Sequence, residues 1–326
     1  MKDWNRVARG WLSLAALAVA CGTAAAAEPY PGKPIRLVLS VGTGGVGDIT
    51  MRLFAEHMSR NLGQRIVVDN RPGGGGAISA MAVKNANADG YTLLQSGNGG
   101  AIRASLFKSQ PFDILNDFTQ VSTIAFFQLV VVVRPDSGFN ALGDVIEFAR
   151  KNPRKLDIGT IAVGSTQYLA AELLKSTAGI EAQVVPYKSN SLLIAALRGN
   201  ELRVAFELIG PVLAHVKSNS LKALAVGSDQ RFAGLPDVPT MGEAGIRNYN
   251  VSSWTGLAAP KGTPAAVVDR LSREAIKAAA DPTVGKTLQE IGIEARASTP
   301  AAATRLMKDS VEKWRAVIEQ AKIPRQ

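Results

Sequence analysis

The stretch Ile35-Arg-Leu-Val-Leu-Ser-Val-Gly-Thr-Gly-Gly-Val-Gly-Asp48 constrains the fold more than any other part of this chain. A run suited to a buried strand, from Ile35 to about Ser40, breaks into glycines. The residues after it carry Phe54, Met58 and Leu62 four apart, the spacing of an amphipathic helix, which Gly63 closes. A strand that enters a helix through so tight a loop leaves the first helical N–H groups without partners at the positive end of the helix dipole. Such a junction suits a carboxylate or a phosphate.

The same pattern returns twice. A second strand at 65–69 leads into Asn70-Arg-Pro-Gly-Gly-Gly-Gly76 and a helix over about 77–85. A third, at 91–95, ends in the polar, flexible run Ser96-Gly-Asn-Gly-Gly100. Alternating strands and helices imply a parallel sheet whose strand-end loops gather at one edge. The run Phe126-Phe-Gln-Leu-Val-Val-Val-Val133 is the longest of β character, and it reads as a crossing into a second lobe. There the alternation restarts, with a helix at 142–151, a strand near 156–160, the loop Val163-Gly-Ser-Thr166 and a helix to 178. Strands follow at 183–185, 202–206 and 221–226, and Ser253-Trp-Thr-Gly-Leu-Ala-Ala-Pro260 reads as the crossing back. Val268, Leu271, Ala275 and Ala278, then Met307, Val311, Trp314 and Ile318, give closing helices. The expected fold is α/β and two-lobed, of the periplasmic-binding-protein (type II-like) kind: two parallel-rich sheets, hinge crossings and a central ligand cleft. Residues 28–133 with 251–326 form lobe 1, and 134–250 form lobe 2.

Composition narrows the partners. With 326 residues, 46% hydrophobic and 20% charged, the chain suits about two folded domains. The formal net charge of +10 admits nucleic acid, anionic membrane or anionic ligands. Lys and Arg are spread among acidic residues, however, and no basic run interleaves with aromatics, so nucleic acid is not an expected partner. Residues 1–27 read as a cleaved signal peptide: Lys2, Arg6 and Arg9 precede an apolar stretch at 11–20 and a small-residue site at Ala25-Ala26-Ala27. The expected location is the periplasm. The only cysteine, Cys21, falls inside that segment. Ala18-Val-Ala-Cys21-Gly loosely resembles a lipobox, with Ala18 where Leu is usual, so lipid anchoring is the second reading. No later apolar run reaches the roughly 18 residues of a membrane span.

Several chemistries compete for the glycine loop. Gly42-x-Gly44-x-x-Gly47, with Asp69 at the end of the next strand, matches a dinucleotide fingerprint literally. Export, the absence of an accompanying catalytic acid or base, and Asp48 where pyrophosphate would sit all argue against it. A glycine turn with no ligand is a third reading. Asp48 suits either a helix cap or a contact to ligand. His57 and His215 lie in helical patterns without further ligands at metal spacing, so no metal is expected. Ser165 lacks the Gly-x-Ser-x-Gly elbow of a hydrolase. Gly164-Ser165-Thr166 instead repeats, in the second lobe, the logic of the first junction, either as a plain helix cap or as the opposite jaw of an anion site.

Short motifs then accumulate in order: Tyr30-Pro-Gly-Lys-Pro-Ile-Arg-Leu-Val38, Gly44-Gly45-x-x-Asp48, Asp69-Asn-Arg-Pro-Gly73, Asp89-Gly-Tyr-Thr-Leu93 and Asp117-Phe118. Val185-Pro-Tyr-Lys188, Leu235-Pro-Asp-Val-Pro-Thr240, Trp254-x-Gly-Leu257 and Ala259-Pro-x-Gly-Thr-Pro264 continue the series. In these the chain resembles the substrate-binding proteins of tripartite tricarboxylate transporters, the Bug receptors. The resemblance implies a two-lobed periplasmic receptor, and the chain is expected to be monomeric and non-enzymatic, without cofactor. It would close on a small organic acid and pass it to membrane permease subunits, or signal its presence as a sensor. It places the ligand carboxylate on Thr43, Gly44, Gly45 and Asp48, with Gly164, Ser165 and Thr166 opposite and Ser96, Gly97 and Asn98 as a side wall. Tyr168 stands where the family often has His, and Glu207 where it usually has Asp, so the wall around the acid is altered. The alternative is a secreted dinucleotide-binding enzyme or a hydrolase.

Overall fold

The sequence alternates strands and helices from Ile35 to Val226, and the computed structural model, which describes residues 30–247 and 249–326, realises that alternation as a mixed sheet folded over two halves. The signal-peptide reading and Cys21 fall outside the described residues. Lys33–Gln326 form one unit, and all that follows concerns it.

The first half runs β1 (Ile35–Leu39), α1 (Val46–Leu62), β2 (Ile66–Asn70), α2 (Ala77–Lys84), β3 (Thr92–Gly97) and α3 (Asn98–Leu106). β1 pairs in parallel with β2 on one side and β3 on the other, giving the order β2-β1-β3. Because β2 and β3 leave β1 in opposite directions, a crevice opens past the carboxyl ends of β1 and β3, the place where open α/β sheets take ligands. The second half repeats the device. After α4 (Leu142–Lys151) come β5 (Asp157–Ile161), α5 (Thr166–Ala178), β6 (Gln183–Tyr187), α6 (Asn190–Arg198), β7 (Val204–Leu208), α7 (Ile209–Lys217) and β8 (Lys222–Val226). β5 pairs in parallel with both β6 and β7, so the second crevice lies past the ends of β5 and β7.

One strand joins the halves. β4 (Phe118–Val133) was expected only from Phe126, but it begins eight residues earlier. Thr119, Gln120, Ser122 and Thr123 interrupt the apolar pattern, and pairing with β9 (Ser252–Pro260) holds this part of the strand in place. From Phe118 to Gln128 β4 pairs with β9 in the first sheet, and from Leu129 to Val133 with β7 and β8 in the second. The change of partners therefore falls inside the strand, at Gln128 and Leu129.

The C-terminal part wraps the first half. α8 (Ala265–Ala280), α9 (Pro282–Glu290), the short β10 (Ile293–Ala295) against β4, and α10 (Pro300–Gln320) follow in order. The expected apolar faces are buried, Val268, Leu271, Ala275 and Ala278 in α8 and Met307, Val311, Trp314 and Ile318 in α10. α8 packs on α1, while α10 packs on α3 and reaches α5 of the second half. Among the described residues no helix is long and apolar enough to cross a membrane.

The third junction differs from its expectation. Residues 96–100 were read as a flexible loop, yet β3 continues to Gly97 and α3 starts at Asn98 with no loop between. Ser96 and Gly97 pair with Gly256 and Thr255 of β9, which extends the strand by two residues. Ser96 donates to Gln120 Oε1 at 2.8 Å, so a polar residue is satisfied inside the sheet.

Candidate ligand-binding site

A cavity of about 250 Å³ lies at the first crevice. Ser40 and Val41 after β1, Val46 and Gly47 at the start of α1, and Gly75 and Gly76 before α2 form one side. The end of β3 and the first turn of α3 form the floor. Ser253, Trp254 and Thr255 of β9, Phe127 of β4 and Leu208 at the end of β7 close the other side. The cavity thus sits where the first crevice faces the end of β7.

Two helix starts point their unpaired N–H groups here. Gly45 caps α1 and Gly97 caps α3, and neither cap has a side chain that could accept a first-turn N–H. Val46 and Gly47 in one helix, and Asn98, Gly99 and Gly100 in the other, line the cavity. An anion between them would meet two dipole ends together, each worth roughly 0.3–1 kcal/mol. The walls add Gln95, whose Oε1 accepts from Ser40 N–H at 3.2 Å and whose Nε2 donates to Thr255 Oγ1 at 3.3 Å. Arg103, from the second turn of α3, also lines the cavity.

Of the residues expected from sequence, Ser96, Gly97 and Asn98 line the cavity. Thr43, Gly44, Gly45 and Asp48 lie beside it, in the loop and helix that carry Val41, Val46 and Gly47. Asp48 is 2% exposed and fully engaged within the chain. It accepts from Gly44 N–H at 3.0 Å, from Arg52 Nε at 2.9 Å and from Asn70 Nδ2 at 2.9 Å. The carboxylate therefore shapes the glycine loop from the third position of α1. Burial pushes its pKa up, but the hydrogen bonds from Arg52, Gly44 and Asn70 prevail and hold it below its ordinary 3.8.

That shift gives a stability prediction. A lowered folded-state pKa means that the ionised form stabilises the fold above pH 3.8, and that this contribution is lost as the pH falls through the folded value. Asp48→Asn should cost roughly 1–3 kcal/mol at pH 7. In urea melts the gap to the unchanged protein should close as the pH is taken below 3.8. A gap that stays constant down to the lowest pH would mean that the charge of Asp48 does not hold the loop.

Gly164, Ser165 and Thr166 lie at the second crevice, outside the cavity wall. Ser165 caps α5, accepting Tyr168 N–H at 3.1 Å and donating to Ile161 O at 3.2 Å. Thr166 reaches across to the first half, where its Oγ1 accepts from Asn98 Nδ2 at 2.7 Å. The other end of the Asn98 amide accepts from Trp314 Nε1 at 2.7 Å, which fixes its orientation. Gly164 has a φ of 80° and stands so close to α3 that a Cβ would meet Leu106 Cδ2 at 2.9 Å. Tyr168 is half-buried, and burial followed by Glu172 raises its pKa. Glu207 is buried and accepts from Gln167 Nε2, Asn190 Nδ2 and Leu208 N–H, tying β7 to the starts of α5 and α6. Burial raises its pKa against those three donors.

The features behind the rival readings are also placed. Asp69 takes Arg36 Nε at 2.8 Å and Arg71 Nε at 2.9 Å, so the acid of the dinucleotide fingerprint is held by two guanidinium groups. At Gly47, where that motif needs close helix–strand packing, a Cβ would meet Gln95 Nε2 at 3.4 Å, an ordinary van der Waals contact. His57 lies 3.5 Å from Asp281, and His215 bonds Ser220 at 3.1 Å. Among the described residues no group of three or more His, Cys, Asp and Glu could hold a metal ion. Arg103 and Gln95 were not singled out from sequence, because a lone Arg inside a helix and a Gln at a strand end have no motif around them.

Comparison with known proteins agrees with this architecture. Residues 50–323 match the model described as "Tripartite tricarboxylate transporter family receptor". The protein BugT of Bordetella pertussis is 31% identical over 314 residues, covering 94% of this chain and 96% of BugT. The structure of the periplasmic binding protein BugD superposes with a TM-score of 0.80 at 29% identity, over 91% of this chain and all of that one. That of the R. palustris protein Rpa4515 with adipate gives 0.82 at 30% identity, over 90% of this chain and 99% of that one.

Proposed function

The chain belongs to the tripartite tricarboxylate transporter receptor family, and on that premise we propose that it captures a small organic carboxylate in the periplasm for membrane permease subunits. The observation that carries this reading is the pair of uncapped helix starts, α1 and α3, facing one cavity at the crevice of β1 and β3. A carboxylate placed there is held by backbone N–H groups, while Phe127, Trp254, Leu208 and Val41 supply an apolar bed for its body. The two lobes are residues 28–133 with 251–326, and 134–250. The change of β4's partner from β9 to β7 is the proposed hinge between them, and the bond between Asn98 and Thr166 joins them at the cavity floor. The related Rpa4515, solved with adipate, supports an acid of that size as the first ligand to try.

Thermal unfolding of the purified protein with adipate, malate, benzoate and NAD tests the reading. A ligand that binds only the folded state at about a hundred times its Kd adds roughly 2.7 kcal/mol of stability, so at least one acid should raise Tm by several degrees. Stabilisation by NAD with none by any acid would overturn the proposal in favour of a dinucleotide-binding protein.

A further inference from the structure

Every polar side chain on the cavity wall already has a partner within the chain. Ser79, Ser96 and Thr255 donate their hydroxyl hydrogens to Gly76 O at 2.8 Å, Gln120 Oε1 at 2.8 Å and Ser96 O at 3.3 Å. Thr166 and Trp314 engage both ends of the Asn98 amide, and Ser40 and Thr255 engage both ends of Gln95. Ser253 accepts from Thr166 Oγ1 at 3.4 Å. Arg103, the one charged residue on the wall, is held in the same way. Its Nη1 donates to Gly74 O at 2.7 Å, its Nε is buried, and its guanidinium lies 4.3 Å from the ring centre of Phe107. It therefore presents no open two-toothed fork to a carboxylate.

The rest of the wall is hydrocarbon, with Val41, Phe112, Ile114, Phe127, Leu208 and Trp254 around the space. The volume of about 250 Å³ falls below the roughly 300–1,000 Å³ of sites for drug-sized ligands, so the body held there is compact. One anionic group meets the helix starts, as proposed above. A second carboxylate carried into the hydrocarbon would lose its water and gain no cation. A hydroxyl would lose its water and meet side chains that are already bonded. We infer that the site selects a monocarboxylate with a compact hydrocarbon body over diacids and hydroxy acids of the same skeleton. The inference rests on the reading of the cavity as a carboxylate site. Adipate then has a suitable length, but its second charge is unmatched.

Isothermal titration with two matched series tests this, hexanoate, 6-hydroxyhexanoate and adipate in one, and 4-methylbenzoate, 4-hydroxybenzoate and benzene-1,4-dicarboxylate in the other. Within a series only the far end of the ligand changes. In at least one series the monoacid should bind more than about tenfold, and up to several hundredfold, more tightly than either partner. A diacid or a hydroxy acid that comes within about tenfold of its monoacid in both series overturns the inference. Leu208→Arg, at a half-buried wall position, brings a cation to the hydrocarbon side. It should narrow the ratio of monoacid to diacid by about tenfold or more, and a ratio that does not move overturns the placing of the ligand's body against this wall. Circular dichroism of the variant confirms that the comparison is between folded proteins. Tighter binding of a diacid would leave the carboxylate reading standing while this inference falls. If no member of either series binds the unchanged protein, the carboxylate reading itself falls and takes the inference with it.

Discussion

Gly97→Ala should be among the most damaging single changes in the chain, destabilising it by roughly 2–6 kcal/mol through overpacking and backbone strain together. Gly97 ends β3 with a φ of 154° and a ψ of −160°, a conformation that residues with a Cβ rarely hold. More decisively, a Cβ there would stand 2.4 Å from the carbonyl oxygen of Trp254 and 3.0 Å from Thr255 Cα. Both obstacles are backbone of β9, so no side chain can rotate away. β3 and β9 would have to separate at the floor of the cavity, displacing Asn98 on one side and Thr255 on the other. Urea unfolding should show the loss, and any folded fraction should bind acid poorly. The neighbouring Gly99→Ala provides the control. It lies in α3, nothing stands within 4 Å of its Cβ position, and its φ is not positive, so the change should stabilise by about 0.5–1 kcal/mol. Equal effects at the two positions would mean that close strand contact does not set the cavity floor.

Gly97 also marks where sequence reading stopped. The alternation of strands and helices and the apolar faces of α8 and α10 were legible because burial imposes a period on each element, whereas the expected pair of parallel-rich sheets is one mixed sheet running through β4. The run Ser96-Gly-Asn-Gly-Gly100 was read as a loop because its residues are small and polar, the composition of turns. What makes it strand and helix is pairing to β9, some 160 residues away in the chain, which no local pattern records. The start of β4 was missed for the same reason: Thr119, Gln120, Ser122 and Thr123 look like a polar interruption until β9 lies beside them. Asp48 was read as a helix cap or a ligand contact, but its oxygens are taken up by Gly44 ahead of the helix, by Arg52 and by Asn70, so it caps no first-turn N–H of α1. Arg103 was invisible for a different reason. It counts only because α3 carries it to the cavity wall, and sequence does not show which wall a side chain lines.

The second large effect is expected at Trp314, which reaches the site from the far end of the chain. Spacing predicted its burial, since it shares a face of α10 with Met307, Val311 and Ile318. It is 1% exposed, so Trp314→Ala should cost roughly 3–5 kcal/mol in lost packing. The indole N–H gives it a second task, because its bond to Asn98 Oδ1 obliges the amide to turn Nδ2 toward Thr166. Trp314→Phe separates the two tasks: the ring volume is mostly kept, while Asn98 Oδ1 is left buried without a donor, at about 1–3 kcal/mol. The amide is then free to flip, and the contact between Asn98 and Thr166 loses its direction. In the unchanged background Thr166→Val should weaken acid binding by removing the acceptor of that contact. In the Trp314→Phe background it should add little, a coupling of roughly 0.5–3 kcal/mol between residues that do not touch. Titrating adipate, or whichever acid the thermal screen finds, into the four proteins of this cycle measures it. Additive losses would show that α10 supports the site by packing alone. Coupled losses would mean that the C-terminal helix sets, through one indole N–H, the orientation of the side chain that bridges the two halves of the receptor.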